Sequence, residues 1–127
     1  MLDHITLGVA DYDHAARFYD QALAPLGIKR LMSVSAEETG GAAFAGYGDT
    51  RPFFWIGNGE VSRGPLHVAF SAPDRASVDA FHAAALAAGG RDNGGPGVRP
   101  HYHADYYGAF VLDPEGRNIE AVCHAPA

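Results

Sequence analysis

Tyr107-Gly-Ala-Phe-Val-Leu-Asp-Pro-Glu-Gly-Arg-Asn-Ile-Glu-Ala-Val-Cys123 reads as a β-hairpin. Ala109 to Leu112 form a short apolar strand, and Asn118 to Cys123 form the second. Between them Asp113-Pro-Glu-Gly116 is a turn, in which proline presets φ and Gly116 supplies a position where φ can be positive. Side chains alternate along a strand, so Ile119, Ala121 and Cys123 share one face, and Glu120 points the other way with Val122. A carboxylate in an apolar strand needs a partner, because burial alone costs desolvation or forces protonation.

Working outward, the 127 residues suffice for one domain with its own core, residues 1–127. The formal charge of −6 comes without any basic cluster, which argues against nucleic acid or an anionic membrane surface as a partner. A single cysteine, Cys123, excludes an intramolecular disulfide framework, and its face-mates Ile119 and Ala121 mark it as a core thiol. Met1-Leu-Asp-His-Ile-Thr has no basic segment leading into an apolar run, so no signal peptide is expected. No apolar stretch approaches the roughly 20 residues of a membrane span. The expectation is a soluble cytoplasmic protein.

In chain order, Asp3–Val9 alternates as a half-buried strand, with Ile5, Leu7 and Val9 on one face and His4, Thr6 and Gly8 on the other. Asp11 or Asp13 can cap a helix predicted over Tyr12–Leu26, whose Phe18, Ala22, Leu23 and Leu26 recur at helical spacing before Gly27 ends it. Strands follow at Arg30–Ser35, Ala42–Tyr47 and Pro52–Ile56. Then the pattern begins again. Leu66–Ala72 is a strand, Ala76–Ala88 a helix, and Asn93–Gly97 a Gly/Pro-rich loop. Val98–Tyr106 reads as the next strand, ahead of the hairpin. An offset of 63 residues carries His4 onto His67, Asp11 onto Asp74, Phe18 onto Phe81, Leu23 onto Leu86 and Gly27 onto Gly90. The matched positions are a strand face, a cap, a core face and a helix stop, so an internal duplication of a βαβββ unit is read, spanning 1–62 and 63–127.

Asp3-His-Ile, Leu66-His-Val-Ala-Phe and Asp113-Pro-Glu-Gly-Arg-Asn-Ile-Glu, in this order and spacing, resemble the vicinal oxygen chelate superfamily. That group includes glyoxalase I, bleomycin- and fosfomycin-resistance proteins and extradiol dioxygenases. The resemblance covers essentially the whole chain. It implies an α+β fold in which two tandem βαβββ units form a cup-shaped mixed sheet with flanking helices. It also implies a small-molecule substrate, a homodimer, and one divalent metal (Fe, Zn, Ni or Mn) held by His4, His67 and Glu120. Two imidazoles and one carboxylate with open positions suit such ions. In the open positions, adjacent substrate oxygens can chelate the metal. One departure stands out. Glyoxalase I places a fourth, acidic ligand in the last strand of its first unit, and Pro52-Phe-Phe-Trp-Ile56 contains none.

Around these positions, Phe53 and Trp55 are expected as an aromatic wall. Tyr102, His103, Tyr106 and Tyr107, with His101, form the densest polar-aromatic cluster. They read either as substrate wall and proton-transfer groups, with His103 and Tyr106 catalytic beside Glu120, or as an amphipathic surface edge. Arg51 and Arg99 can anchor an anionic substrate, but the sequence does not place them in the cup. Two classes of function stay open. One is a metal-dependent lyase, isomerase or dioxygenase, and the other a non-catalytic binding protein of the bleomycin-resistance type.

Overall fold

Two aspartates start the two long helices. The Asp11 carboxylate accepts from the His14 backbone N–H at 3.1 Å, and the Asp74 carboxylate from that of Ser77 at 2.8 Å. In the computed structural model, which describes residues 1–127, the first unit runs β1 (Ile5–Gly8), α1 (Tyr12–Ala22), β2 (Lys29–Val34), a single-turn α2 (Ala36–Thr39), β3 (Phe44–Gly48) and β4 (Pro52–Gly57). The second runs β5 (His67–Ser71), α3 (Arg75–Ala87), β6 (Arg91–Val98), β7 (Tyr107–Leu112) and β8 (Asn118–Cys123). Each unit has its own four-stranded sheet, in the orders β1-β4-β3-β2 and β5-β8-β7-β6. In both, the first strand lies parallel to the last and the other pairs are antiparallel. The architecture is α+β, two βαβββ units as the repeat requires. No helix is long and apolar enough to cross a membrane.

The helix expected over Tyr12–Leu26 stops earlier. α1 ends at Ala22, and Ala24–Leu26 form a short 3₁₀ turn before Gly27 at φ 77°. Pro25 is the reason, since it lacks the N–H that a continuing helix would use. A larger shift affects the sixth strand. The segment Asn93–Gly97, expected as a loop, lies inside β6, and most of Val98–Tyr106, expected as a strand, is the connection to β7. That connection is closed by Arg99 N–H donating to Tyr106 O at 2.7 Å. Pairing with β7 overrides the poor strand propensity of glycine, and β6 tolerates it as a bulged edge strand with register shifts around Gly94. The duplication carried the correct answer, because β2 shifted by 63 residues falls inside β6.

Each sheet packs one face inward, and a chain of aromatic rings ties the faces together. Tyr19 lies 5.1 Å from Phe54, and Phe54 lies 5.1 Å from Phe70 of the other unit, both edge-on. Such pairs contribute about 0.5–1.5 kcal/mol each beyond area burial. Cys123 is buried among them as a free thiol. The β7–β8 turn closes the joint. The Asp113 carboxylate accepts from the backbone N–H of Glu115 and Arg117, each at 2.9 Å, and from the buried Tyr19 hydroxyl at 2.6 Å. Arg117, also buried, donates to Gly8 O at 2.6 Å and Ser62 O at 3.1 Å. Glu115 receives the N–H groups of Ala10 and Asp11, at the entry to α1. Thus a turn of the second unit holds the helix start of the first.

Burial acts to raise the Glu115 carboxyl, but the Asp11 and Ala10 N–H groups and Arg117 outweigh it and hold it below the usual carboxylate range. Glu115→Gln should therefore lower unfolding free energy at pH 7 by about 1–2 kcal/mol. The folded carboxyl titrates below its unfolded value of about 4.3, so this contribution is present above that pH and is lost as pH falls through the folded value. Urea titrations of wild type and variant should differ at pH 7 and converge as pH falls below the folded value.

Candidate functional site

Glu120 sits in β8 on the face turned away from the core and is wholly buried all the same. Three neighbours cover it. On one side, its Oε1 lies 2.8 Å from His67 Nε2, at the start of β5. Its Oε2 accepts the Tyr106 hydroxyl. Phe110, directly across on β7, projects to the same face, with its ring centroid 6.0 Å from that of His67. Gly108 makes the room, since a Cβ there would stand 3.1 Å from Oε2 and 3.2 Å from the Tyr106 ring. The carboxylate thus has the partner that its place in an apolar strand demands. Burial, followed by the bond to Glu120, pushes the Tyr106 phenol well above its ordinary range, with Arg99 pulling the other way. Tyr106 is therefore a neutral hydrogen-bond donor at physiological pH. The His67 side chain is half exposed, so the site opens to solvent on its imidazole side.

His4 stands apart from this pair. It precedes β1, its Nδ1 lies 2.7 Å from Asp3, and Arg51 donates to the same aspartate at 2.9 Å. Within one chain no three His, Cys, Asp or Glu side chains converge as a metal site. Of the three ligand positions expected from sequence, His67 and Glu120 meet, and His4 lies on the first sheet. There it lines a depression of about 530 Å³ with Thr6, Met32, Phe44, Arg51 and Trp55. Trp55 pairs with Thr6 as Glu120 pairs with Ala69, so Trp55 holds in the first unit the place that Glu120 holds in the second. Its indole covers Gly46, where a Cβ would come within 2.8 Å of the ring. An aromatic plate fills the position where a fourth acidic ligand was sought. Phe53 lies elsewhere, in an apolar hollow with Leu2, Ile5, Val68 and Phe70.

The polar-aromatic cluster divides. Tyr102 packs edge-on to Tyr106 at 4.8 Å and against His101 at 4.2 Å. His103 meets Tyr106 edge-on at 5.5 Å, and its Nε2 lies 2.5 Å from Nδ1 of His124. Tyr107 leaves the cluster. Its hydroxyl donates to Asp79 on α3 at 2.6 Å, and Arg75 covers its ring, so it faces the helix and not the site. One step of strand alternation separates it from Tyr106. One neighbour was passed over in the sequence. His124 follows Glu120 and Val122 on the same alternating face, a signal that was available. Arg99, read from the sequence as an anion anchor without a place in the cup, has its guanidinium carbon 5.3 Å from the Phe110 ring centroid, beside the site.

Comparison with known proteins follows this geometry. The sequence model of one family, the Glyoxalase/Bleomycin resistance protein/Dioxygenase superfamily, matches residues 1–121. Among solved structures, a glyoxalase/bleomycin resistance protein from Albidiferax ferrireducens T118 is 29% identical with a TM-score of 0.78, covering 97% of this chain and 98% of that one. A family enzyme from Burkholderia phytofirmans PsJN is 20% identical, with a TM-score of 0.70 and 98% of both chains covered. Glyoxalase I from Zea mays is 22% identical with a TM-score of 0.71, and the match takes in 97% of this chain but 46% of the maize chain. The last two share the fold. No curated protein matches the sequence.

Tyr106→Phe leaves one oxygen of a buried carboxylate without its donor. It should cost about 1–3 kcal/mol in a urea titration. His103→Ala, at an exposed side chain, should stay within about 0.5 kcal/mol of wild type.

Proposed function

This chain belongs to the glyoxalase/bleomycin resistance protein/dioxygenase superfamily, and from that premise we propose that it is a divalent-metal-dependent enzyme acting on a small molecule with two adjacent oxygens. The observation that carries the reading is the buried Glu120 carboxylate held 2.8 Å from the His67 imidazole, at two of the positions where the superfamily resemblance places ligands. A second imidazole would complete a donor set that fits one ion of Fe, Zn, Ni or Mn. Such an ion, when bound, polarises adjacent substrate oxygens and stabilises negative charge on them. The chain's own groups orient and exclude. Phe110 and Tyr106 wall the carboxylate from water. Oε2 of Glu120, hydrogen-bonded to Tyr106, is the group that can take up or return a proton beside the substrate. The reaction class is a lyase or isomerase step, with extradiol ring cleavage as the other chemistry of the same donor set.

The third ligand in this reading is His4 of a second copy. β1 pairs only with β4, and β5 only with β8, so each unit ends in a strand with one unpaired edge. Apolar residues beside these edges are open, among them Leu2 and Ile5. In a two-fold dimer, β1 of one chain lies beside β5 of the other, twice, and the two sheets become one cup. The start of β1 then meets the start of β5, which carries His67. A cytoplasmic homodimer with two such cups is the assembly proposed.

One observation favours the alternative, a binding protein of the bleomycin-resistance type without chemistry. No third metal ligand joins His67 and Glu120 within the chain. Metal calorimetry separates the two readings. Zn²⁺, Ni²⁺ or Fe²⁺ should bind wild type and lose at least about tenfold in affinity in Glu120→Gln and His4→Ala. Mixing refolded His4→Ala with Glu120→Gln should restore roughly a quarter of the wild-type sites, because one cup of each mixed dimer is then intact. No metal uptake by wild type would favour the binder, and no recovery on mixing would remove the cross-chain ligand.

A further inference from the structure

The glycine-rich strand β6 is built around one side chain. The Arg99 guanidinium donates to Gly97 O at 2.9 Å and to Gly95 O at 2.8 Å. A Cβ on Gly94 would stand 3.2 Å from one terminal nitrogen and 3.1 Å from the Phe110 ring, and one on Gly97 would stand 3.2 Å from the other nitrogen. Glycine at these positions leaves the space that the guanidinium occupies. It rests on Phe110, its carbon 5.3 Å from the ring centroid. Phe110 is the direct cross-strand partner of Glu120, and its ring also neighbours His67. Arg99 therefore lies on the open face of the second sheet, beside the candidate site.

No carboxylate of the chain pairs with it, although the chain carries a formal charge of −6. Arg30, Arg51 and Arg117 have acidic partners, and Arg17, Arg63, Arg75 and Arg91 do not, so Arg99 is set apart by the carbonyls and the ring that hold it. Two of the five N–H groups of Arg99 go to neutral carbonyls, and the others make no hydrogen bond within the chain. A guanidinium immobilised by carbonyls and a ring, with donors to spare, is prepared for a planar anion, since little side-chain entropy remains to be lost on binding.

We propose that Arg99 is the anchor for an acidic group of the ligand, so that the substrate class is a small organic acid, with a carboxylate or related oxyanion on Arg99 and its other end at His67 and Glu120. This deepens the function proposed above and rests on it for the position of the reacting end. A matched pair of probes tests it. 3,4-Dihydroxybenzoate and 3,4-dihydroxybenzamide carry the same adjacent oxygens and differ in the charge of one group. Titration calorimetry would be run with and without Zn²⁺ on wild type, Arg99→Gln and Arg99→Lys, with inorganic phosphate as a competitor.

Wild type should bind the acid about tenfold or more tightly than the amide, the order expected of a charge-assisted pair. Arg99→Gln should abolish that preference, and Arg99→Lys, which keeps the charge and loses the planar fork, should retain part of it. Competition by phosphate would widen the class to oxyanions in general, and its absence would narrow it to carboxylates. Equal affinities in wild type, an unchanged preference in Arg99→Gln, or no binding of either probe would overturn the proposal. A preference that depends on Arg99 while Zn²⁺ leaves the affinity of both probes unchanged would support the anchor and count against the metal reading.

Discussion

The buried turn Asp113–Arg117 is the constraint on which the rest of the chain depends. A guanidinium and a carboxylate are almost wholly buried there, which costs free energy unless every polar atom is partnered. The partners come from both units. Gly8 and Ser62 supply carbonyls to Arg117, and Tyr19 supplies a hydroxyl to Asp113. Losing the junction would strand a charge in a dry interior, so the two units are locked into one arrangement. The same turn starts β8, and β8 carries Glu120. The clamp that joins the halves therefore also sets where the Glu120 carboxylate stands.

Glu120 shows how a sheet can keep a charged group away from water without wasting it. Its backbone is held by neighbours on both sides, β5 and β7. Its side chain is enclosed by an imidazole, a phenol and an aromatic ring, with Gly108 keeping the space clear. Each neighbour is a hydrogen-bond partner or a shield, and each arrives from a different strand or connection. In the first unit the equivalent place is held by Trp55. One ancestral design thus carries a polar face in one half and an apolar plate in the other.

The duplicated units also account for the unpaired edges. Each βαβββ unit leaves its first strand at one rim of its sheet and its second at the other, so β1, β2, β5 and β6 are all edge strands. Backbone groups on an open edge favour association with a matching edge.

Much was legible in the sequence because it is local or periodic. The alternation of Asn118–Cys123 put Glu120 opposite the core face, the turn residues named the hairpin, and the 63-residue offset exposed the duplication. Those signals depend on covalent spacing, which folding does not alter. What the tertiary structure decided depends on neighbours distant in sequence. Cross-strand pairing with β7 turned the glycine-rich stretch of Arg91–Val98 into a strand, against its propensity. Register decided that Tyr106 faces Glu120 and Tyr107 faces Asp79, a difference of one residue that composition cannot resolve. The separation of the two sheets left His4 outside the pair formed by His67 and Glu120. The chain order alone could name most of the candidate residues. Only the packing of strands, which is a long-range balance of buried area and hydrogen bonding, determined which of them meet.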